Sequence, residues 1–314
     1  MPIRTGKSRI RLGTRGSRLA RWQADWCADR LRRQGVEVEI VVIQTSGDRV
    51  QNQSIVNIGA QGVFTREIQR ALLGGEIDLA VHSLKDLPTE PVDGLVLGGV
   101  PERGPHRDAF LSSKAASLEE LPENSRIGTG SLRRKTQLLN RFGDRFRIDD
   151  IRGNVETRLR KLDEEEYDAL ILAEAGLLRL GFADRICSFL EPPDFLPAVG
   201  QGALGLEIRS DDVKTAEIAI SISDSATFVS VLAERSMLLT LQGGCLAPIA
   251  ALASVDGETL TLHGRILSLD GSKMFETTRG SITDPVELGR QVAEELVALG
   301  ADAILDEIRA IRKA

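Results

Sequence analysis

Arg126-Ile127-Gly128-Thr129-Gly130-Ser131-Leu132-Arg133-Arg134 reads as a short strand, a Gly-Ser turn and the first turn of a helix that carries two arginines. It repeats a plan met earlier in the chain. Residues 9–13, with Ile10 and Leu12 on one face, form a strand pattern that runs into Thr14-Arg15-Gly16-Ser17-Arg18. A helix comes next, with Leu19, Trp22, Trp26 and Leu31 as its apolar stripe and Gly35 at its end. Ser17 is a good N-cap candidate. A second pair of stretches supports the repeat. Ile77-Asp78-Leu79-Ala80-Val81 and Tyr167-Asp168-Ala169-Leu170-Ile171 are each a buried strand, preceded by a helical pattern and followed by a loop. Strands alternating with helices predict two related α/β lobes with parallel sheets, whose loops at the strand C-termini face each other across a cleft. A strand feeding a Gly-Ser turn at a helix N-terminus is a natural anion site, because free amides point outward and the dipole favours negative charge.

Two stretches containing glycine and proline, residues 101–106 and 197–202, are read as crossings between the lobes, which makes a hinge. Beyond the second crossing, residues 203–208 read as a strand and 212–221 as a helix. A third segment starts near Ala226 with a helix whose apolar face is Phe228, Val231, Leu232 and Leu239. That helix ends at Leu241-Gln242-Gly243-Gly244-Cys245-Leu246-Ala247-Pro248, where the glycines accept the left-handed conformation of a helix C-terminus. Residues 249–255, 259–268 and 274–280 read as strands joined at Asp256-Gly257 and Asp270-Gly271, and two helices close the chain. The expected fold class is α/β: two lobes with a hinge, and a third, small α+β domain. The expected domains are residues 1–101 with 203–222, residues 102–202, and residues 223–314.

A chain of 314 residues suggests two or three cores, and 42% hydrophobic with 27% charged residues is ordinary for a globular protein. Three cysteines, Cys27, Cys187 and Cys245, argue against a disulfide framework and for a reducing compartment. Cys27 and Cys187 read as structural. Cys245 is either a small buried hydrophobe or a reactive thiol, and the second reading needs a cationic setting. The net charge of −6 and the 4% aromatic content speak against a nucleic-acid partner. No apolar run reaches membrane-spanning length, and the basic residues 1–9 lack the apolar core of a secretory signal, so a cytoplasmic protein without a membrane partner is expected. His82, His106 and His263 are not at metal-ligand spacing, and no metal site is expected.

Five stretches occur in one order: Val81-His82-Ser83-Leu84-Lys85-Asp86-Leu87-Pro88, Gly128 to Arg134, Arg152-Gly153-Asn154-Val155, Pro197-Ala198-Val199-Gly200-Gln201-Gly202, and Gly243-Gly244-Cys245. Together, over nearly the whole chain, they resemble the porphobilinogen deaminase (hydroxymethylbilane synthase) family. The resemblance implies three domains, the first two like periplasmic binding proteins. It also implies a dipyrromethane cofactor joined by a thioether to Cys245. The implied reaction joins four porphobilinogen molecules head to tail with release of ammonia, and water then frees hydroxymethylbilane. A monomer is expected. The chain departs from the family pattern at Asn57 and Gln61, where some relatives carry lysines, and at Gly130, where a second serine is common.

The residues fit that chemistry. Every substrate brings an acetate and a propionate, so a growing chain gains carboxylates and needs cations. Arg15, Arg18, Arg133, Arg134, Arg152, Arg158 and Arg179 fall on or near the turns expected to face the cleft, and a guanidinium fork suits a carboxylate. Solvated surface charge is the competing reading, above all for Arg18 and Arg158. Arg15, Arg133, Arg134 and Arg152 match substrate- and cofactor-binding positions of the family. The cofactor is expected to meet Lys85, Ser83, Thr129, Ser131, Arg133, Arg134, Arg152, Arg158 and Asp86, and the substrate Arg15, Ser17, Arg152, Arg179, Gln201 and Phe64. The hydroxyls are equally readable as helix caps, and Phe64 as a core aromatic. Asp86 matches the family's catalytic aspartate: its carboxylate can accept pyrrole N–H bonds, stabilise the cation that develops as ammonia leaves, and help move protons. An exposed Lys-Asp turn pair is the plain alternative. The competing function is a non-catalytic two-lobe binding protein for a small carboxylate anion.

Overall fold

The computed structural model describes residues 9–45, 65–243, 247–281 and 284–313. The chain forms two compact units, one up to Gly104 together with Gly202–Phe228, the other Pro105–Gln201 together with Val229 onward. The first unit opens with β1 (Arg9–Arg15), α1 (Arg18–Arg33), β2 (Glu37–Ile43), α2 (Arg66–Leu73), β3 (Leu79–Ser83) and β4 (Leu95–Gly99). The second opens with β5 (Asp108–Ser112), β6 (Arg126–Gly128), α3 (Leu132–Phe142), β7 (Arg147–Asp149), α4 (Val155–Asp163), β8 (Ala169–Ala173), α5 (Glu174–Leu180) and β9 (Ser188–Leu190). The chain then returns to the first unit for β10 (Leu204–Arg209) and α6 (Val213–Ile220). It finishes with α7 (Ser225–Thr240), β11 (Ile249–Asp256), β12 (Thr259–Leu267), β13 (Met274–Ser281), α8 (Pro285–Leu296) and α9 (Asp302–Lys313).

The two lobes share one sheet plan, β2-β1-β3-β10-β4 and β7-β6-β8-β5-β9. The βα alternation predicts parallel sheets, but both are mixed. In each, the fourth strand runs antiparallel to both neighbours: β10 against β3 and β4, β5 against β8 and β9. These are the strands entered directly from the two crossings. A segment arriving from a crossing needs no helical connection and can enter antiparallel. Strands β4, β5, β7 and β9 carry no strong period and are the ones the pattern did not mark.

Local chemistry sets the helix starts. Ser17 Oγ accepts the Ala20 N–H at 3.3 Å, Ser131 Oγ the Arg134 N–H at 3.5 Å, and Asn154 Oδ1 the Thr157 N–H at 2.8 Å. Each sheet buries both faces. In the first lobe Leu12, Leu79, Val81 and Leu206 pack on Ala24, Cys27, Ala28 and Leu31 of α1. The opposite face meets Ile68 and Leu72 of α2 through Ala80. In the second lobe Phe110, Ile127 and Ile171 cover Leu138, and Leu111, Leu170 and Leu172 cover Leu159 and Leu162. Cys27 is a core residue as expected. Cys187 is exposed, its thiol bonded to the Ser112 backbone, and so is not a packing residue.

The C-terminal segment is an antiparallel three-stranded sheet, β11-β12-β13, under α7 and α8. The buried stripe of α7 differs in part from the expected one. Val231 is in it, but Leu239 is 41% exposed, and Leu238 and Leu241 take its place in the core beside Ala233 and Met237. At the end of α7 the left-handed residue is Gln242, at φ +51°, rather than Gly243. Gly243 is required for space instead: a Cβ there would lie 2.1 Å from Ile249 Cδ1. This segment is fastened to the second lobe. Arg265 of β12 donates to the carbonyls of Asp194 and Pro193 at 2.8 and 2.9 Å, and the Gly271 carbonyl accepts from Asn140 at 2.9 Å. Among the described residues no single helix is long and apolar enough to cross a membrane.

Candidate active site

In the first lobe the candidate residues Ser83, Lys85 and Asp86 lie where β3 ends. Leu84–Asp86 is a single 3-10 turn. Leu84 and Leu87 are buried on either side of it, the Leu84 N–H donates to the Ala203 carbonyl at 3.0 Å, and the Leu87 N–H to the Leu84 carbonyl at 3.1 Å. Lys85 is half-buried and Asp86 exposed. The carboxylate of Asp86 is therefore presented outward from a turn anchored by two apolar side chains and a strand. Gly205 makes room for that turn, since a Cβ there would lie 2.8 Å from Leu84 Cδ1. Ser83 is held by the buried Gln23 of α1, whose amide nitrogen donates to Ser83 Oγ at 2.8 Å. Ser17 caps α1, next to the half-buried Arg15 and the exposed Arg18. Behind the strand, Glu207 of β10 faces His82 Nε2 at 3.0 Å and accepts from Gln69 of α2 at 2.9 Å, all three side chains being buried.

In the second lobe the centre is Asp108, the first residue of β5. It accepts from Arg133 at 2.7 and 3.2 Å, from Arg134 at 3.0 and 2.8 Å, and from Gln201 at 2.9 Å. Burial alone would raise the Asp108 carboxyl, but the two guanidinium groups hold it below the usual carboxylate range. Burial pushes the Arg133 guanidinium below its ordinary value, against the pull of Asp108. Two guanidinium groups around one carboxylate leave an excess positive charge in a buried setting. Arg133 Nε, also buried, has no hydrogen-bond partner among the described residues. Uncompensated buried charge is costly, so the cluster is chemically suited to a further anionic group. A bound molecule carrying several carboxylates meets that demand.

The remaining candidate positions of this lobe lie on its turns and helices. Thr129 is buried and accepts the Ser131 N–H at 3.3 Å, while Ser131 caps α3. Arg152, half-buried, donates to Asp150 at 2.7 Å, and Arg158 to the Gly153 carbonyl at 2.8 Å. Arg179 is half-buried on α5. Gly130 lies against the Ile151 carbonyl, where a Cβ would come within 3.0 Å. Gln201 is 1% exposed, and its amide donates to the His106 carbonyl at 2.8 Å and to Asp108, so its side chain ties the two crossings together. Cys245, Phe64, Asn57 and Gln61 lie outside the described residues.

Sequence reasoning missed Asp108, Gln23, Gln137 and Glu207. Gln137 grips the Leu196 backbone at both its N–H (2.9 Å) and carbonyl (3.1 Å) and accepts from Arg265 at 3.2 Å. The signal was available: Gln23 and Gln137 each stand six residues after their Ser cap, on the buried side of the helix. Asp108 stands directly before the apolar run Ala109-Phe110-Leu111.

Two family models cover the chain. Residues 10–217 match the porphobilinogen deaminase dipyrromethane cofactor binding domain, and residues 228–298 match the porphobilinogen deaminase C-terminal domain. A porphobilinogen deaminase of Trichlorobacter lovleyi is 48% identical over 303 residues, covering 96% of each chain. One of Geobacter sulfurreducens is 47% identical over 304 residues, covering 96% of this chain and 95% of that protein. Among solved structures, the methionine binding protein MetQ is similar at a TM-score of 0.44 and 16% identity, covering 69% of this chain and 89% of that one. With the cofactor-domain match spanning β1 to α6 and near-half identity over almost its full length, this chain belongs to the porphobilinogen deaminase family.

Proposed function

We propose that this chain joins four porphobilinogen molecules head to tail, with Asp86 as its catalytic carboxylate and Cys245 as the anchor of its cofactor. The observation that carries the reading is the exposed Asp86 on a turn pinned by Leu84, Leu87 and Ala203. A charged group so fixed needs no reorganisation when positive charge develops beside it, which is where electrostatic stabilisation is strongest. Asp86 accepts the pyrrole N–H of the incoming unit, stabilises that ring as ammonia departs, and takes part in removing the proton that leaves on bond formation. The dipyrromethane, joined to Cys245 by a thioether, supplies the terminal pyrrole carbon to which the first substrate is added.

Arginines bind the acetate and propionate groups. Arg15, Arg152, Arg158 and Arg179 are the candidates whose guanidinium groups are not committed to Asp108, with Ser17, Ser83, Thr129, Ser131, Lys85 and Phe64 as neighbours of bound carboxylates or rings. Arg133 and Arg134 serve the cofactor from the Asp108 cluster, through the charge that Asp108 leaves unbalanced. Gln201 acts from inside, holding Asp108 rather than reaching the substrate directly. The three domains are residues 1–101 with 203–222, residues 102–202 and residues 223–314, in a cytoplasmic monomer with no nucleic-acid or membrane partner.

The test is the intact mass of the purified protein beside Cys245→Ala, together with ammonia release from porphobilinogen. The expected wild type is heavier than its sequence by two linked pyrrole units, the variant is not, and only the wild type releases ammonia. Binding of porphobilinogen without ammonia release, at the bare mass, would instead support a non-catalytic carboxylate-binding protein.

A further inference from the structure

The two lobes share one strand register, and at one place their chemistry differs without any demand from the fold. Gln69 stands nine residues before Asp78, and Leu159 nine before Asp168; His82 stands four after Asp78, and Leu172 four after Asp168. Glu207 lies opposite Ala80 in the first sheet, and Leu111 opposite Leu170 in the second. The first lobe thus buries Gln69, His82 and Glu207 at the positions where the second lobe buries Leu159, Leu172 and Leu111 in one apolar cluster. The second lobe proves that this frame closes with leucines. Replacing a buried ionic group by well-packed apolar residues is often neutral or stabilising, so stability does not explain the polar trio.

The contacts of the trio do explain it. Glu207 holds His82 and Gln69 with its two oxygens, at 3.0 and 2.9 Å, and so ties α2, β3 and β10 at one point. His82 is followed by Ser83 and the Leu84–Asp86 turn. On the β10 side, Leu204 pairs with Ser83, and the Ala203 carbonyl holds the Leu84 N–H. Both strands that bear the Asp86 turn are therefore fixed to each other and to α2 just behind it. We propose that Glu207, with His82 and Gln69, is a positioning residue: the trio sets the seat of the Asp86 turn and thereby the rate of the reaction.

This rests on the porphobilinogen-joining reading. The experiment compares cofactor-loaded wild type, Gln69→Leu/His82→Leu/Glu207→Leu, Glu207→Gln and Gln69→Leu alone. The triple variant copies the second lobe. It is expected to melt at or above the wild-type temperature and to keep the cofactor mass, yet lose at least about tenfold in kcat with little change in KM, as misplacement of a catalytic group does. Glu207→Gln can accept from His82 and donate to Gln69, and is expected to stay within about threefold of wild type. Gln69→Leu, which cuts one arm, is expected to fall between the two and keeps the proposal testable should the triple variant not fold. A loaded triple variant with wild-type kcat overturns the proposal. So does Gln69→Leu with unchanged kcat, or Glu207→Gln as slow as the triple variant, since charge and not position would then be at issue. A wild type that does not consume porphobilinogen would instead overturn the underlying reading.

Discussion

The first and second lobes are two versions of one frame. Each starts its first helix with a capping Ser, and each locks its sheet with an aspartate before the third strand: Asp78 accepts the Arg11 N–H at 2.8 Å, Asp168 the Arg126 N–H at 2.6 Å. They differ beyond the end of that strand. The first lobe places Ser83, Lys85 and an outward Asp86 on a 3-10 turn, whereas the second runs from Ala173 directly into α5. The charge of the second lobe sits instead at the strand that enters from the crossing, on Asp108 with Arg133 and Arg134. One architecture thus carries an exposed carboxylate in one copy and two buried guanidinium groups around one carboxylate in the other, which the proposed function reads as chemistry in the first and anion binding in the second.

Substitutions can break that contrast. The largest effect is expected at Asp86: Asp86→Asn should lower steady-state kcat by about a thousandfold while leaving the melting temperature and the cofactor mass unchanged. Normal turnover would end the assignment. Asp108→Asn leaves two buried guanidinium groups facing each other. It should cost about 3–5 kcal/mol in urea unfolding, far more than Asp86→Asn. Its pH dependence has a definite sign. The Asp108 carboxyl is held below its ordinary value in the folded protein. The stability it confers is therefore complete above the unfolded value of about 4 and is lost as the pH falls from there toward the folded value. The gap between wild type and Asp108→Asn should narrow on acidification below about pH 4, and a constant gap would contradict the charge argument.

Gly205→Ala sharpens the comparison from another side. The matching residue of the second lobe, Ala109, already carries a Cβ. In the first lobe that Cβ would press on Leu84, so kcat should fall about tenfold with cofactor retained. The smallest effects are expected where the lobes agree: Ser17→Ala and Ser131→Ala should each cost about 1 kcal/mol, read by thermal unfolding.

The repeated frame was legible in the sequence because caps, glycine stops and the Asp-led strands are local signals. Ser17, Ser131, Gly35 and Gly143 do what their neighbours require. The antiparallel entry of β5 and β10 was not legible, because strand direction is decided by pairing with residues far along the chain. The candidate site is legible to the extent that its residues lie on such local turns, as Asp86 does. Gln201 is expected on the substrate, and its place inside the lobe is not legible because its partners His106 and Asp108 lie about ninety residues away. Gly243 read as a conformational glycine, yet the side chain of Ile249 is the group that demands it.

The order in which strands enter the sheets has a consequence for synthesis. All five strands of the second lobe lie between Asp108 and Leu190. The first lobe lacks its fourth strand until Leu204–Arg209 has been made, and until then β4 has no strand among the described residues to pair with. The half of the protein that leaves the ribosome first is therefore the later to close. Its α2 face and unpaired strand edges wait for a segment translated after the whole of the other lobe. A chain interrupted between residues 191 and 203 would carry one completed sheet and one open one, and the open one is where chaperones and proteases would find it.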